Sequence, residues 1–198
     1  MTPDHVFDSL WFALYAPGFF WTRFDGNTRW ISTADRASLR RSLRGSEILG
    51  SRCEIHPVPR YGLERTSVAD SSVLWARAET GPEAEALLTW SPKPTFIFRE
   101  GDTVRHTAIW ALTGQLDKRW TLCLNKRLAH AIGTAKKHAD PENFYFTPPG
   151  SLDEKGKSVQ IIHFEPTDYS AKALAGHLPD APDAKLMFRQ RQQMRAAA

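Results

Sequence analysis

The stretch that most restricts what this chain can become runs from Ser71 to Leu112, SSVLWARAET followed after a short insertion by SPKPTFIFREGDTVRHTAIWAL. Successive residues of a strand point to opposite faces, so VLWARAE places Val73, Trp75, Arg77 and Glu79 on one side and Leu74, Ala76 and Ala78 on the other. One face is small and apolar, and the other ends in a charged pair. TFIF, at 95–98, is a short apolar run suited to a buried strand, and TAIWAL, at 107–112, is another. Between them REGDTVRH is polar and contains a glycine, which predicts a hairpin turn. Trp75 and Trp110, inside these strands, read as core residues. The segment therefore predicts the sheet of the domain, and leaves open what Arg77, Glu79 and His106 do beside it.

The flanking sequence supplies helices and short strands. DHVFDSLWFALYA (4–16) has helical spacing with Asp4 as N-cap, FFWTRF and TRWIS form a hairpin about Asp25-Gly26-Asn27, and TADRASLRRSLRG predicts a short amphipathic helix opened by Thr33. RCEIHPVPR predicts a strand broken by Pro57 and Pro59. PEAEALLTW predicts a short helix between the first two central strands, and TLCLNKRLAHAIGTAKKH is the longest helical pattern. ADPENFYFTPPGSLDEKGK reads as turn-rich, VQIIHFEP as a strand, DYSAKALAGHL as a helix, and the basic residues 183–198 as a C-terminal helix. The expected fold class is α+β: a mixed, mainly antiparallel sheet with packed helices. At 198 residues the whole chain, 1–198, reads as a single domain, with 1–50 as a helix-and-hairpin sub-lobe.

Composition excludes several classes. With 41% hydrophobic and 24% charged residues the chain is neither disordered nor fibrous, and no apolar run approaches the length needed to span a bilayer. The N-terminus carries acidic residues where a signal peptide needs positive charge. Cys53 and Cys123 stand far apart in no CxxC pair, against a thiolate zinc site or a disulfide scaffold, so a cytoplasmic location without membrane attachment is expected. The net charge of +4 permits a polyanionic partner, and the basic residues gather at 36–44, 125–138 and 185–195. There is no P-loop, no GxGxxG after a strand, no HExxH and no GxSxG. His56, His106, His130, His138 and His163 lie on different elements.

Taken in order from residue 52, RCEIHPVPR, DSSVLWARAET, KPTFIFREGDTVRHTAIWAL, LNKRLAHAIG, DPENFYFTPPGSLDEK and VQIIHFEPTDYSAKALAG, the chain resembles the catalytic core of the archaeo-eukaryotic primase superfamily, in particular phage and plasmid primase-polymerase domains. The resemblance covers about residues 5–178 and implies an RRM-like core. In the family the strand written here VLWARAE ends in two aspartates one residue apart, which bind a pair of divalent cations. Here those positions are Arg77 and Glu79. A guanidinium does not deprotonate, so Arg77 repels a metal and suits an ion pair or a phosphate. A Pro-Gly-Thr-x-Asn-x-Lys motif reads Pro149-Gly150-Ser151-Leu152-Asp153-Glu154-Lys155. His106 stands four residues before Trp110, one residue off the family spacing, and Glu100-Gly101 replaces a serine-glycine.

The resemblance thus implies a primase-like DNA-binding protein of phage or mobile-element replication, with a degenerate active site. Glu79, His106 and Asp140 are its vestigial catalytic candidates. Arg60, Arg77, Arg105, Lys126, Arg127 and Lys155 are expected to contact nucleic acid, DNA rather than RNA, mainly at phosphates. A degenerate site needs no cofactor. The alternative is an active primase or polymerase in which Glu79 and Asp140, helped by Glu100 or Asp102, hold Mg²⁺ or Mn²⁺. A third reading is an interaction or inhibitor protein that docks on a replication enzyme. A helicase or polymerase acting in trans is the expected protein partner.

Overall fold

In the computed structural model residues 19–24, 27–32, 37, 38, 41, 52–61, 67–149 and 151–179 are described, those of 19–32 as backbone only. The helices expected at 4–16 and 183–198 lie outside these residues, as does most of the helix expected from Thr33.

The predicted sheet forms. β4 (Ser71–Ala78), β5 (Phe96–Arg99), β6 (His106–Leu116) and β7 (Gln160–Phe164) pair in the order β4-β6-β5-β7, all antiparallel. A two-residue strand β8 (Asp168–Tyr169) adds to β6 in parallel. The N-terminal hairpin, β1 (Phe19–Phe24) and β2 (Asn27–Ser32), joins β3 (Cys53–Ile55) in a separate three-stranded antiparallel sheet. The three described helices are α1 (Gly81–Thr89), α2 (Lys118–Ile132) and α3 (Ala171–Gly176), and one 3₁₀ turn covers Lys136–Ala139.

The alternation in β4 sorts its side chains onto two cores. Val73 and Trp75 join Phe96, Phe98 and Ile109 against Cys53, Ile55, Val58, Phe144 and Phe146. Leu74, Ala76 and Ala78 join Ile97, Ala108 and Trp110 against Leu87 of α1, Leu124 and Leu128 of α2, and Leu174 of α3. The sheet is therefore covered on both faces. Trp75 and Trp110 are 1% and 0% exposed, and their indole N–H groups donate to the carbonyls of His138 and Pro92. Both act as core residues.

The segment ADPENFYFTPPGSLDEKGK carries turns as expected, and its aromatics also enter the core: Phe146 exchanges backbone hydrogen bonds with Ile55, and Phe144 stacks between Trp75 and Phe146, at ring separations of 5.5 and 6.5 Å. Two expectations shift. α2 begins three residues before TLCL, because Asp117 accepts from the Trp120 N–H as N-cap, and it ends at Gly133, which adopts φ +85°. The helix expected from Asp168 starts only at Ala171, capped by Ser170, because Asp168 and Tyr169 pair with β6.

Candidate functional site

The β5–β6 turn, the end of β4 and the 151–157 loop meet at one edge of the sheet. The turn needs Gly101: its φ is +53°, and a Cβ there would lie 2.2 Å from Asp153 Oδ2. Asp153 in turn folds its own loop, its Oδ1 accepting from the N–H groups of Lys155 and Lys157, each at 2.8 Å. Ser151, buried in the Pro-Gly motif, clamps β3: its hydroxyl accepts from the Cys53 N–H and donates to the Cys53 carbonyl. The result is a cleft of about 160 Å³ lined by Glu79, Glu100, Arg105, Asp153, Glu154 and Lys155 together with Thr103 and Val104. That volume falls below the roughly 300 Å³ at which ligand pockets begin.

Arg77 does not pair with Glu79. Its guanidinium, 7% exposed, turns into the protein, where Nη2 meets Glu100 Oε1 at 2.8 Å and Nη1 donates to the Tyr145 carbonyl at 3.3 Å. The pair opens a chain of alternating sign. Glu100 also faces Arg105 at 3.7 Å, Arg105 meets Glu154 at 3.1 Å, Glu154 meets Arg52 at 2.8 Å, and Arg52 meets Glu54 at 2.7 Å. Burial pushes the Glu100 carboxyl up from its ordinary range, and the Arg77 guanidinium is the largest influence pulling it back. Glu154, held by Arg52 and Arg105, is lowered.

Glu79 lies just past β4 and is held by Lys137 at 2.7 Å, with His138 Nε2 at 3.1 Å from its other oxygen. The Lys137 ammonium, seconded by the nearby His138 ring, holds its carboxyl down at about 2. Asp140 is turned to its own segment, its carboxylate accepting from the Glu142 N–H at 2.9 Å and from Asn143 Nδ2 at 2.5 Å. His106 is 7% exposed at the start of β6, opposite Ala78, with Nδ1 2.9 Å from the Val104 carbonyl. The described lining of the cleft includes Glu79 but neither His106 nor Asp140.

A pair of divalent cations needs several oxygen ligands turned to one point. Here Glu79 is already neutralised by an ammonium, and the position two residues earlier is a buried guanidinium. Among the described residues no three His, Cys, Asp or Glu side chains are placed to hold a metal ion. The residues do not fit the metal pair of the primase family.

The basic residues divide. Arg105, Lys126 and Lys155 stand at the surface, Arg105 partly covered. Arg60 does not: it is 0% exposed, and Nη2 donates to the Glu142 carbonyl at 2.9 Å and to His56 Nε2 at 3.2 Å. Arg127 donates to the carbonyls of Ala175, Leu178 and Pro179, tying α2 to the end of α3. Arg60, Arg77 and Arg127 are thus spent on the protein's own backbone and acids, and the sequence patterns of exposed and buried arginine are the same. Sequence reasoning also missed Lys137, His138 and Glu154 as partners of the site. Only the lysine-lysine-histidine run at 136–138 hinted at a counter-charge for Glu79.

A two-faced sheet with helices on one side, an aromatic-packed loop on the other, and a charged cleft at the β4 end defines the fold class: it is the primase-polymerase fold. Among solved structures the chain superposes on the AEP domain of the cyanophage S-2L primase-polymerase with a TM-score of 0.68 at 14% identity, covering 90% of this chain and 98% of that one. It superposes on primase RepB′ with a TM-score of 0.68 at 13% identity, over 99% of this chain and 67% of that one. The catalytic domain of RepB′ in complex with initiator DNA gives a TM-score of 0.66 at 12% identity, over 96% and 97%. No protein-family model and no curated protein sequence matches the chain.

Proposed function

We propose that this chain is a primase-like replication protein of a phage or mobile element that binds nucleic acid and does not carry out metal-dependent nucleotidyl transfer. The observation that carries the reading is the Arg77–Glu100 ion pair, buried where the family resemblance puts a metal-binding aspartate. The guanidinium supplies internally the positive charge that a cation would bring, and Glu100 uses the carboxylate that could have recruited one. The similar fold of a RepB′ domain solved with initiator DNA supports binding of nucleic acid, and the surface residues Arg105, Lys126 and Lys155 are the contacts this reading assigns to it. The reading includes action in a reducing cytoplasm, with which two free cysteines are consistent, and a helicase or polymerase acting in trans.

The test joins two measurements. Fluorescence anisotropy on single-stranded and primer-template DNA over a salt series should show binding that weakens steeply with salt, as phosphate contacts require, and that Lys155→Glu reduces. Primer synthesis with Mg²⁺ or Mn²⁺ should give no template-dependent product. Product that disappears in Glu79→Ala would establish an active polymerase and overturn the loss of catalysis. No DNA binding at low salt would overturn the reading altogether.

A further inference from the structure

We infer that the outer face of α2 is a binding site for single-stranded nucleic acid, with Trp120 as a stacking platform and Arg119, Lys126 and Lys136 as phosphate contacts. The inference rests on the nucleic-acid-binding reading above and specifies its partner and surface.

Charge segregation is the first observation. The sequence of α2, KRWTLCLNKRLAHAI, contains Lys118, Arg119, Lys126 and Arg127 and no aspartate or glutamate. A surface helix that serves only its own stability mixes signs at i,i+4, and here no acid is available for that pairing. Lys118 and Arg119 also occupy the first turn, where the positive end of the helix dipole disfavours cations and the N-cap Asp117 is the one adjacent acid of the helix terminus. Lys118 is answered from outside the helix by Glu142. Among the described residues Arg119, Lys126 and Lys136 have no ion-pair partner.

Trp120 is the second, independent observation. It is 54% exposed, while Trp75 and Trp110 are buried to 1% and 0%. An indole left in water forfeits burial that a large aromatic ring would otherwise gain. At 3.6 residues per turn Arg119, Lys126 and His130 fall within about 40° of one line along the helix, with Trp120 on its flank, and the line runs about 16 Å. All four are exposed. Past the helix end Lys136 is exposed beside Lys137, whose ammonium holds Glu79 at the cleft.

A basic stripe flanked by an exposed aromatic fits a single strand better than a duplex. Unpaired bases offer a π-face to the indole and phosphates to the cations, whereas a duplex keeps its base faces stacked within the helix.

Anisotropy with a fluorescein-labelled oligothymidylate and with a labelled duplex tests this. Trp120→Ala should weaken oligothymidylate binding about 5- to 100-fold and leave duplex binding unchanged, while Trp120→Phe keeps most of the affinity. Replacing both Arg119 and Lys126 by alanine should reduce the single-strand salt slope by roughly 1.4. If the wild-type protein binds oligothymidylate and these variants bind as tightly with the same slope, the α2 site is wrong and the nucleic-acid reading stands. Equal loss on single strand and duplex overturns the stacking role. No binding by the wild type defeats both readings. Circular dichroism confirms the fold of each variant, and should Trp120→Ala fail to fold, wild-type affinity in Lys126→Glu would itself overturn the site.

Discussion

Arg77 is the residue on which stability and function meet. Its charge has left water and is matched by Glu100, with side-chain exposures of 8% and 4%. A buried pair adds little net stability over apolar residues of similar size, yet breaking one leaves an uncompensated charge. Arg77→Ala should therefore destabilise the fold by about 3–5 kcal/mol, measured by urea unfolding, whereas Arg77→Met combined with Glu100→Leu should recover most of that loss. A double variant as unstable as the single one would mean that the outer members of the ion chain, Arg105 and Glu154, depend on Glu100 for their order.

At the scale of elements, the hairpin of β5 and β6 and the 151–157 loop are built for each other. Gly101 supplies a left-handed turn and leaves no room for a side chain against Asp153. Gly101→Ala adds backbone strain and overpacking together, and should cost roughly 2–4 kcal/mol in thermal or urea unfolding. It should also weaken DNA binding beyond what a stability change explains, because the loop it displaces carries Lys155. Unchanged stability would mean that the loop moves freely away from the turn. α2 shows a different division of labour: Asn125 accepts from the Trp75 N–H at the outer edge of β4, while the opposite side of the helix carries the bare cations. One face secures the sheet and the other is left for a partner.

For the whole molecule, the interior behind β3 sets the response to acid. His56 is fully buried and burial, with Arg60 beside it, pushes its pKa from 6.5 down to about 3. Because Arg60 donates to Nε2, the neutral ring carries its proton on Nδ1 and donates to the Val58 carbonyl at 2.7 Å. Below pH 6.5 the unfolded chain takes up a proton that the folded chain refuses until about pH 3, so this contribution is full above 6.5 and is lost as pH falls through that window. Glu79, lowered from 4.5 to about 2, adds a further loss below 4.5. Unfolding free energy should fall steadily from pH 6.5 downward, and His56→Gln should flatten the decline between 6.5 and 4.5 while lowering stability at neutral pH. An unaltered slope in that variant would remove His56 as the cause.

The sequence by itself determined the central sheet, its two faces and the three helices packed on it, because strand alternation and helical spacing are local periodicities that burial imposes on any chain. VLWARAE divided its side chains between two cores as the alternation requires, and the β5–β6 hairpin lay where REGDTVRH put it. The same stretch puts Arg77 and Glu79 where the family it resembles carries two aspartates. What it could not show was each charge's partner. Arg77 and Glu79 are two residues apart at the end of β4, yet one pairs with Glu100 across the sheet and the other with Lys137 beyond α2. Arg60 and Arg127, indistinguishable in sequence from surface arginines, are consumed by backbone carbonyls brought close only on folding. Ion pairs and caps between distant segments depend on distances of a few ångströms, and those are set by tertiary packing, not by any spacing along the chain.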